Sequence, residues 1–116
     1  MITFLFIDSE RVWRGGQDQL LTLLPGLIQR GHEVHLACHP RTLLEARARA
    51  AGAKVHRVAY HRLAGFLVFF HLLVTMKRVK PDIVAFNTPR PILPGTLASK
   101  LAGVRARIIF RRVNFP

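Results

Sequence analysis

The sequence predicts an α/β fold, in which a Rossmann-like, doubly wound parallel sheet has the strand order 3-2-1-4-5. Short apolar runs, typical of strands buried on both faces of a sheet, alternate along the chain with patterns of helical period. The links between them are short, as in successive βαβ units. The chain has 116 residues, of which 50% are hydrophobic. A single domain over residues 1–116 is therefore expected, and its last residues suggest that it is truncated before a second domain.

Each predicted element has a local reason. The strands are runs of apolar and β-favouring residues, and the first helix has leucines and isoleucine at a 3.6-residue period before Gly31, a helix-ending glycine. The second helix is rich in alanine, leucine and arginine and closes at Gly52. Pro81 ends the third helix. The predicted strands cover residues 2–8, 33–38, 54–58, 82–86 and 106–110, and the predicted helices cover residues 17–30, 42–51, 63–80 and 92–103.

The charge and cysteine content limit the partners and the compartment. Eighteen Lys and Arg against six Asp and Glu give a net charge of +12, which favours an anionic partner. The cations are dispersed, without the aromatic and basic interleaving of RNA-binding proteins, so a nucleic acid is not the expected partner. Cys38 is the only cysteine, which indicates a reducing compartment. No basic segment precedes the first apolar run, so a cytoplasmic location is expected.

Two loops of the predicted sheet meet where a ligand would bind. Gly15 and Gly16 lie between the first strand and the first helix, and Asn87 to Arg90 follow the fourth strand. In this strand order the first and fourth strands are neighbours from which the chain winds in opposite directions, and ligands bind beyond their carboxyl ends. Glycines let backbone N–H groups approach an anion at a helix N-terminus.

Each of these candidate residues also has a plainer interpretation. The glycine pair could be an ordinary turn. Asp18 could complement the helix dipole or orient a sugar hydroxyl. Arg90 could pair with a phosphate or be solvated. The residues alone leave these alternatives open.

Other chemistries find little support in the sequence. His35 and His39 flank Cys38, but strand alternation puts Cys38 on the opposite face, so no metal site is expected. No Gly-x-Ser-x-Gly elbow occurs, and no third glycine completes a dinucleotide fingerprint after Gly16. We expect no cofactor, and no catalytic residue can be assigned.

The apolar segment 63–80 has two interpretations. Its core of about 14 apolar residues is too short to span a bilayer. It could pack against the sheet, the favoured interpretation because apolar residues crowd nearly all of its faces. Alternatively, its exposed edge and the basic surface could hold the protein against anionic lipid.

These residues resemble a known family. Gly15-Gly16-Gln17-Asp18, the leucine-rich helix, residues 30–34 (Arg-Gly-His-Glu-Val) and residues 80–84 (Lys-Pro-Asp-Ile-Val) resemble the amino-terminal domain of family 4 glycosyltransferases with the GT-B fold. The chain would then be one half of a GT-B enzyme. More weakly, its last residues, 110–116, resemble the members that act on lipopolysaccharide core or related lipid-linked glycans.

The resemblance implies a function and roles for the candidate residues. Such enzymes transfer a sugar from a nucleotide-sugar with retention and no required metal, holding the acceptor mainly on the first domain. Gly15 and Gly16 would donate N–H bonds to the donor diphosphate, and Asp18, Asn87 and Arg90 would bind the acceptor or sugar. Many members carry a histidine just after the fourth strand, where this chain has Asn87-Thr88, so that role does not transfer.

The resemblance also implies what this chain lacks. The acidic pair that grips the donor would lie beyond residue 116, so the 116 residues alone are expected to be inactive. Without the resemblance, two other classes stay open. One is a free-standing α/β module that binds a phosphorylated sugar or nucleotide without catalysis. The other is a basic domain that binds nucleic acid or a protein partner.

Overall fold

A computed structural model describes residues 1–9, 15–58, 65–88 and 91–109 of the chain. Within them, five parallel strands form one sheet in the order β3-β2-β1-β4-β5, which confirms the predicted doubly wound α/β fold. The strands are β1 (Thr3–Ile7), β2 (Glu33–Cys38), β3 (Lys54–Arg57), β4 (Ile83–Phe86) and β5 (Ala106–Ile109), and the helices are α1 (Gly15–Gln29), α2 (Leu43–Ala51), α3 (Gly65–Val79) and α4 (Ile92–Ala102).

The side chains of the strands alternate between two cores, one on each face of the sheet. Leu5 and Ile7 of β1 belong to a core that includes Leu72 of α3 and Ala98 of α4. Phe6, between them, belongs to the opposite core, which includes leucines of α1 and α2. Because both faces are covered, the neighbouring strands β1 and β4 are apolar over residues 4–7 and 83–86, as the sequence pattern indicated.

The ends of the helices have local causes that the sequence largely contained. Helix α2 begins after Thr42, whose side-chain oxygen accepts a hydrogen bond from the backbone N–H of Glu45. Gly52 ends the helix in the left-handed conformation, with φ of 102°. Gly31 follows α1 in the same conformation, with φ of 86°. The predicted start of α1 was wrong by two residues, because the helix begins at Gly15 and includes both glycines.

Helix α3 packs against the sheet along one side only. Val68, Leu72 and Met76 are buried in the core beneath it. Phe66 and Phe70, on the other side, are 64% and 55% exposed. The favoured interpretation of the segment, packing against the sheet, therefore accounts for only half of its apolar residues. In the part of the chain that the structure describes, no helix combines the length and apolarity needed to cross a membrane.

Two glycines inside helices make a matched test of the packing. A Cβ atom added to Gly95 of α4 would overlap Cε1 of Phe86, a buried ring of β4, whereas one added to Gly26 of α1 would meet nothing within 4 Å. We expect Gly95→Ala to lower the free energy of unfolding by about 1–3 kcal/mol through overpacking. Gly26→Ala should raise it by up to about 1 kcal/mol through helix propensity. Urea unfolding measures both, and equal stabilisation by the two substitutions would contradict the close α4–β4 contact.

Candidate functional site

The candidate site lies at the carboxyl edge of the sheet, where β1 and β4 end side by side. Ile7, the last residue of β1, is in register with Phe86, the last residue of β4. The chain leaves these strands in opposite directions, since β1 leads to β2 on one side and β4 leads to β5 on the other. This is the switch point at which open α/β sheets form a crevice.

Buried polar side chains join the two strand ends. The Nδ2 atom of Asn87 donates a hydrogen bond to Oδ2 of Asp8 over 2.6 Å. The hydroxyl oxygens of Ser9 and Thr88 lie 2.8 Å apart, and the backbone N–H of Ser9 donates to Oγ1 of Thr88 over 3.0 Å. All four residues are buried, and Asp8 is wholly inaccessible to solvent. The four residues, named here the switch-point cluster, therefore fix both loops where they begin.

Backbone hydrogen bonds extend the sheet into the switch-point cluster. The N–H of Asp8 donates to the carbonyl of Ala37, and the N–H of Asn87 donates to the carbonyl of Ile7. Buried polar groups are stable in proteins when they are paired in this way. The cluster thus forms a buried, hydrogen-bonded polar floor at the carboxyl ends of β1 and β4.

The N-terminus of α1 lies above the same edge. Helix α1 connects β1 to the parallel strand β2, so its first residues stand at the carboxyl ends of the strands. Gly15 and Gly16 are the first two residues of the helix. The first four N–H groups of a helix have no partner within it and favour an anion. This position suits the predicted binding of a phosphate by backbone N–H groups.

Two of the predicted site residues fall outside what the structure describes. Arg90 lies outside the described residues. Asp18 lies in the first turn of α1, but its side chain is outside what the structure describes. Asn87 is described and is 5% exposed. Its role in binding an acceptor stays a prediction, but its contact with Asp8 adds a structural role.

Asp8, Ser9 and Thr88 are site residues to which sequence reasoning assigned no role. Two polar residues directly follow each of the two buried strands: Asp8 and Ser9 follow β1, and Asn87 and Thr88 follow β4. Polar residues in that position are expected at a switch point, so the signal was present in the sequence. Which of them would pair could be learned only from the register of the two strands.

Cys38 and His35 lie on different faces of the sheet, as strand alternation predicts. Cys38 packs in the core beneath α1 and α2, and burial raises the pKa of its thiol to about 12. A thiol with that pKa is not a nucleophile at neutral pH. Among the residues that the structure describes, no three His, Cys, Asp or Glu side chains are arranged to hold a metal ion.

A histidine pair that the sequence did not predict lies between β2 and β3. Nδ1 of His35 is 2.8 Å from Nε2 of His56, and Nε2 of His35 is 3.0 Å from a carboxylate oxygen of Glu33. Lys54 donates to the other oxygen of Glu33 over 3.0 Å. Burial lowers the pKa of His56, and the nearby positive charges of His35 and Arg78 lower it further. The pair therefore favours a neutral His56.

Comparison with known proteins identifies the family of this chain. The family model described as Glycosyltransferase Family 4 matches residues 13–111, which include the glycine pair and Asn87. The chain belongs to glycosyltransferase family 4. The predicted resemblance to the amino-terminal domain of these enzymes is confirmed, as is the GT-B type of its Rossmann-like fold. No curated protein matches the chain by sequence.

Solved structures of glycosyltransferases share this fold. A glycosyltransferase from Rickettsia africae superposes with a TM-score of 0.78 at 16% identity, covering 99% of this chain and 31% of that one. MurG of Acinetobacter baumannii gives 0.73 at 19%, with 93% and 34% covered. HepE of Anabaena, in complex with UDP-glucose, gives 0.71 at 16%, with 91% and 28% covered. The family 4 chain thus spans about a third of the length of these structures.

The histidine pair makes the stability of this family 4 domain depend on pH. Because the pKa of His56 is lower in the folded state than the usual 6.5, the unfolded state binds more protons as the pH falls below about 6.5. We expect the free energy of unfolding to decrease from pH 7 to pH 5, and His56→Gln to flatten this slope. His71→Gln, at an exposed position of α3, removes only one of the smaller causes of this lowering, so it should keep most of the slope.

Urea unfolding at several pH values above 5 measures this effect. The pKa of Glu33 is lowered by its hydrogen bonds with His35 and Lys54, so its contribution is lost only below about pH 4.5. An unchanged slope in His56→Gln would contradict the assignment.

Proposed function

We propose that the chain is the acceptor-side domain of a retaining glycosyltransferase, which moves a sugar from a nucleotide-sugar to a glycan or a lipid-linked acceptor. The match to family 4 over residues 13–111 supports this proposal most strongly. HepE in complex with UDP-glucose and VinC in complex with dTDP share its fold. A nucleotide-sugar donor is therefore the substrate class that we assign to the crevice.

The geometry of the crevice suits this reaction. Transfer leaves negative charge on the departing nucleotide diphosphate, and N–H groups at a helix N-terminus stabilise such charge without reorganising. In the proposed enzyme, Gly15 and Gly16 of α1 donate to the diphosphate. Asp18, Asn87 and Arg90 contact the acceptor or the transferred sugar, with no cofactor or metal.

The switch-point cluster supports these roles indirectly. Asn87 and Thr88 are tied to the end of β1 by hydrogen bonds of 2.6–3.0 Å to Asp8 and Ser9. Both loops of the crevice therefore start from one rigid point. A fixed relation between the diphosphate site and the acceptor site is what transfer between two bound substrates requires.

We further propose that the enzyme works in the cytoplasm, where nucleotide-sugars serve as donors, and that the acceptor belongs to glycan or lipopolysaccharide biosynthesis. The chain alone is proposed to be inactive, because it spans about a third of the length of the glycosyltransferases that share its fold. Sugar transfer by the isolated 116 residues would overturn that part of the proposal.

Titration of the ¹⁵N-labelled chain with UDP and UDP-glucose tests the site. We expect amide shifts at Gly15, Gly16 and Asn87 with a dissociation constant on the order of millimolar. Gly16→Leu should weaken binding by about tenfold or more, since it blocks a charge-assisted N–H contact. Gly26→Leu is the matched control in the same helix, where an added Cβ meets nothing within 4 Å.

Three other outcomes of the titration would count against the proposal. Equal weakening by the two leucine variants would contradict the diphosphate site at the start of α1. Shifts spread over the cationic surface without the crevice would show nonspecific anion binding. Specific binding in the crevice by a chain shown to have no donor-binding partner would favour the free-standing binding module.

A further inference from the structure

The outer surface of the α3–α4 layer exposes two parallel apolar stripes. On α3 the residues recur every four positions, so they lie along one side of the helix. On α4 the same spacing occurs. The exposed fractions range from 43% to 72%, for Phe66, Leu67, Phe70 and Val74 of α3 and for Leu93, Leu97 and Leu101 of α4.

These stripes form one surface because the two helices pack side by side on the same face of the sheet. Leu72 of α3 and Ala98 of α4 share the core beneath them, and Leu73 and Ile92 pack against that core. The exposed residues therefore point away from the sheet on both helices. Single exposed apolar residues are ordinary, but seven large ones on one two-helix layer indicate an interaction surface.

Cations occupy the C-terminal end of the same layer. Lys77 and Arg78 of α3, Lys100 of α4 and Arg105 are exposed. A cavity of about 510 Å³ opens between the ends of the two helices, and Lys77, Lys80 and Arg105 line it. Helix dipoles favour cations at these ends, but they do not account for the apolar stripes beside them.

Acidic residues are almost missing from this part of the sequence. From residue 46 to residue 116 there are fourteen Lys and Arg and one acid, Asp82. That carboxylate lines the same cavity and accepts a hydrogen bond from the backbone N–H of Thr3 over 2.9 Å. The surface thus joins exposed apolar side chains to an excess of positive charge.

We propose that this surface, the α3–α4 face, docks on a membrane of anionic phospholipid. The apolar stripes would enter the boundary between headgroups and acyl chains, while the cations at the helix ends contact lipid phosphates. Charge complementarity favours this occupant over a second copy of the chain. Two copies, each with a net charge of +12, repel one another, whereas an anionic bilayer attracts the same charge.

Docking in this orientation brings the candidate site near the bilayer. Helices α3 and α4 run opposite to the parallel strands, so their N-terminal ends stand at the carboxyl edge of the sheet. Phe66 and Leu93, near those ends, are 64% and 72% exposed. A lipid-linked acceptor could then reach the crevice without leaving the membrane. This last step rests on the proposed function, whereas docking itself does not.

Co-sedimentation with vesicles tests the proposal. We expect the 116-residue chain to bind vesicles of phosphatidylcholine mixed with phosphatidylglycerol, and to bind vesicles of phosphatidylcholine alone much more weakly. The variant Phe70→Ser/Lys77→Glu should partition at least about tenfold less, since it removes one apolar contact and reverses one charge on the face. Circular dichroism would check that it stays folded, because both side chains are exposed.

A matched variant separates the face from general charge. Leu43→Ser/Arg30→Glu makes the same chemical change at exposed positions of other segments, and we expect it to keep most of the binding. Equal loss in both variants, or no binding of the unaltered chain at low salt, would overturn the proposal. So would self-association that Phe70→Ser/Lys77→Glu abolishes in a chain that does not bind vesicles.

The outcome is independent of the nucleotide titration. Vesicle binding needs neither donor nor acceptor, so its failure would leave the proposed glycosyltransferase site untouched. Likewise, a chain that does not bind UDP or UDP-glucose would not contradict the proposed membrane docking of the α3–α4 face.

Discussion

The hydrogen bond between Asn87 and the buried carboxylate of Asp8 joins the ends of β1 and β4, where the two halves of the sheet diverge. One half of the sheet grows from β1 through β2 to β3, and the other grows from β4 to β5. Among the strands that the structure describes, the β1–β4 pair joins the two halves of the sheet. A buried carboxylate without partners would be costly at that junction. With Asn87 as its donor, and with Ser9 and Thr88 paired beside it, the junction becomes the fixed floor of the crevice.

The same alternation that builds the cores decides which residues are available for chemistry. In β2, Leu36 and Cys38 enter the core beneath α1 and α2, while Ala37 enters the opposite core. His35 shares the face of Ala37 and finds His56 on the neighbouring strand. Cys38 is therefore buried and unreactive, and the ring of His35 is paired with that of His56. Chemistry at this edge is left to the strand ends and to the N-terminus of α1.

The predictable part of the structure is the part that depends on local pattern. The bounds of β2 were predicted without error, because Gly31 ends the preceding helix and Pro40 follows the strand. The start of α1 was predicted two residues late, since glycines in a sequence resemble a loop even when they begin a helix. The alternation of strands and helices predicted a parallel, doubly wound sheet. Its order, 3-2-1-4-5, was expected as one of the common orders of such sheets, and the strand pairing confirms it.

Other features depend on contacts that no local pattern contains. In the register of β2 and β3, Lys54 lies opposite His35, and His56 lies opposite Ala37, two residues further along on the same face. This register brings His35 and His56 together. The sequence did not show which side of α3 is exposed, because apolar residues occur on nearly every face of the helix and give no clear apolar stripe. Only the packing of Val68, Leu72 and Met76 against the sheet determines which side remains outside.

Native-state hydrogen exchange of the backbone amides at the switch-point cluster tests the central claim most directly. The amides of Ser9 and Asn87 donate across the β1–β4 junction, to Thr88 and Ile7, and the amide of Asp8 donates to Ala37 of β2. If the junction is the fixed floor of the crevice, these amides exchange only through global unfolding, as slowly as the central residues of β1. Exchange through local opening, with much lower protection than Leu5 and Phe6, would contradict the account.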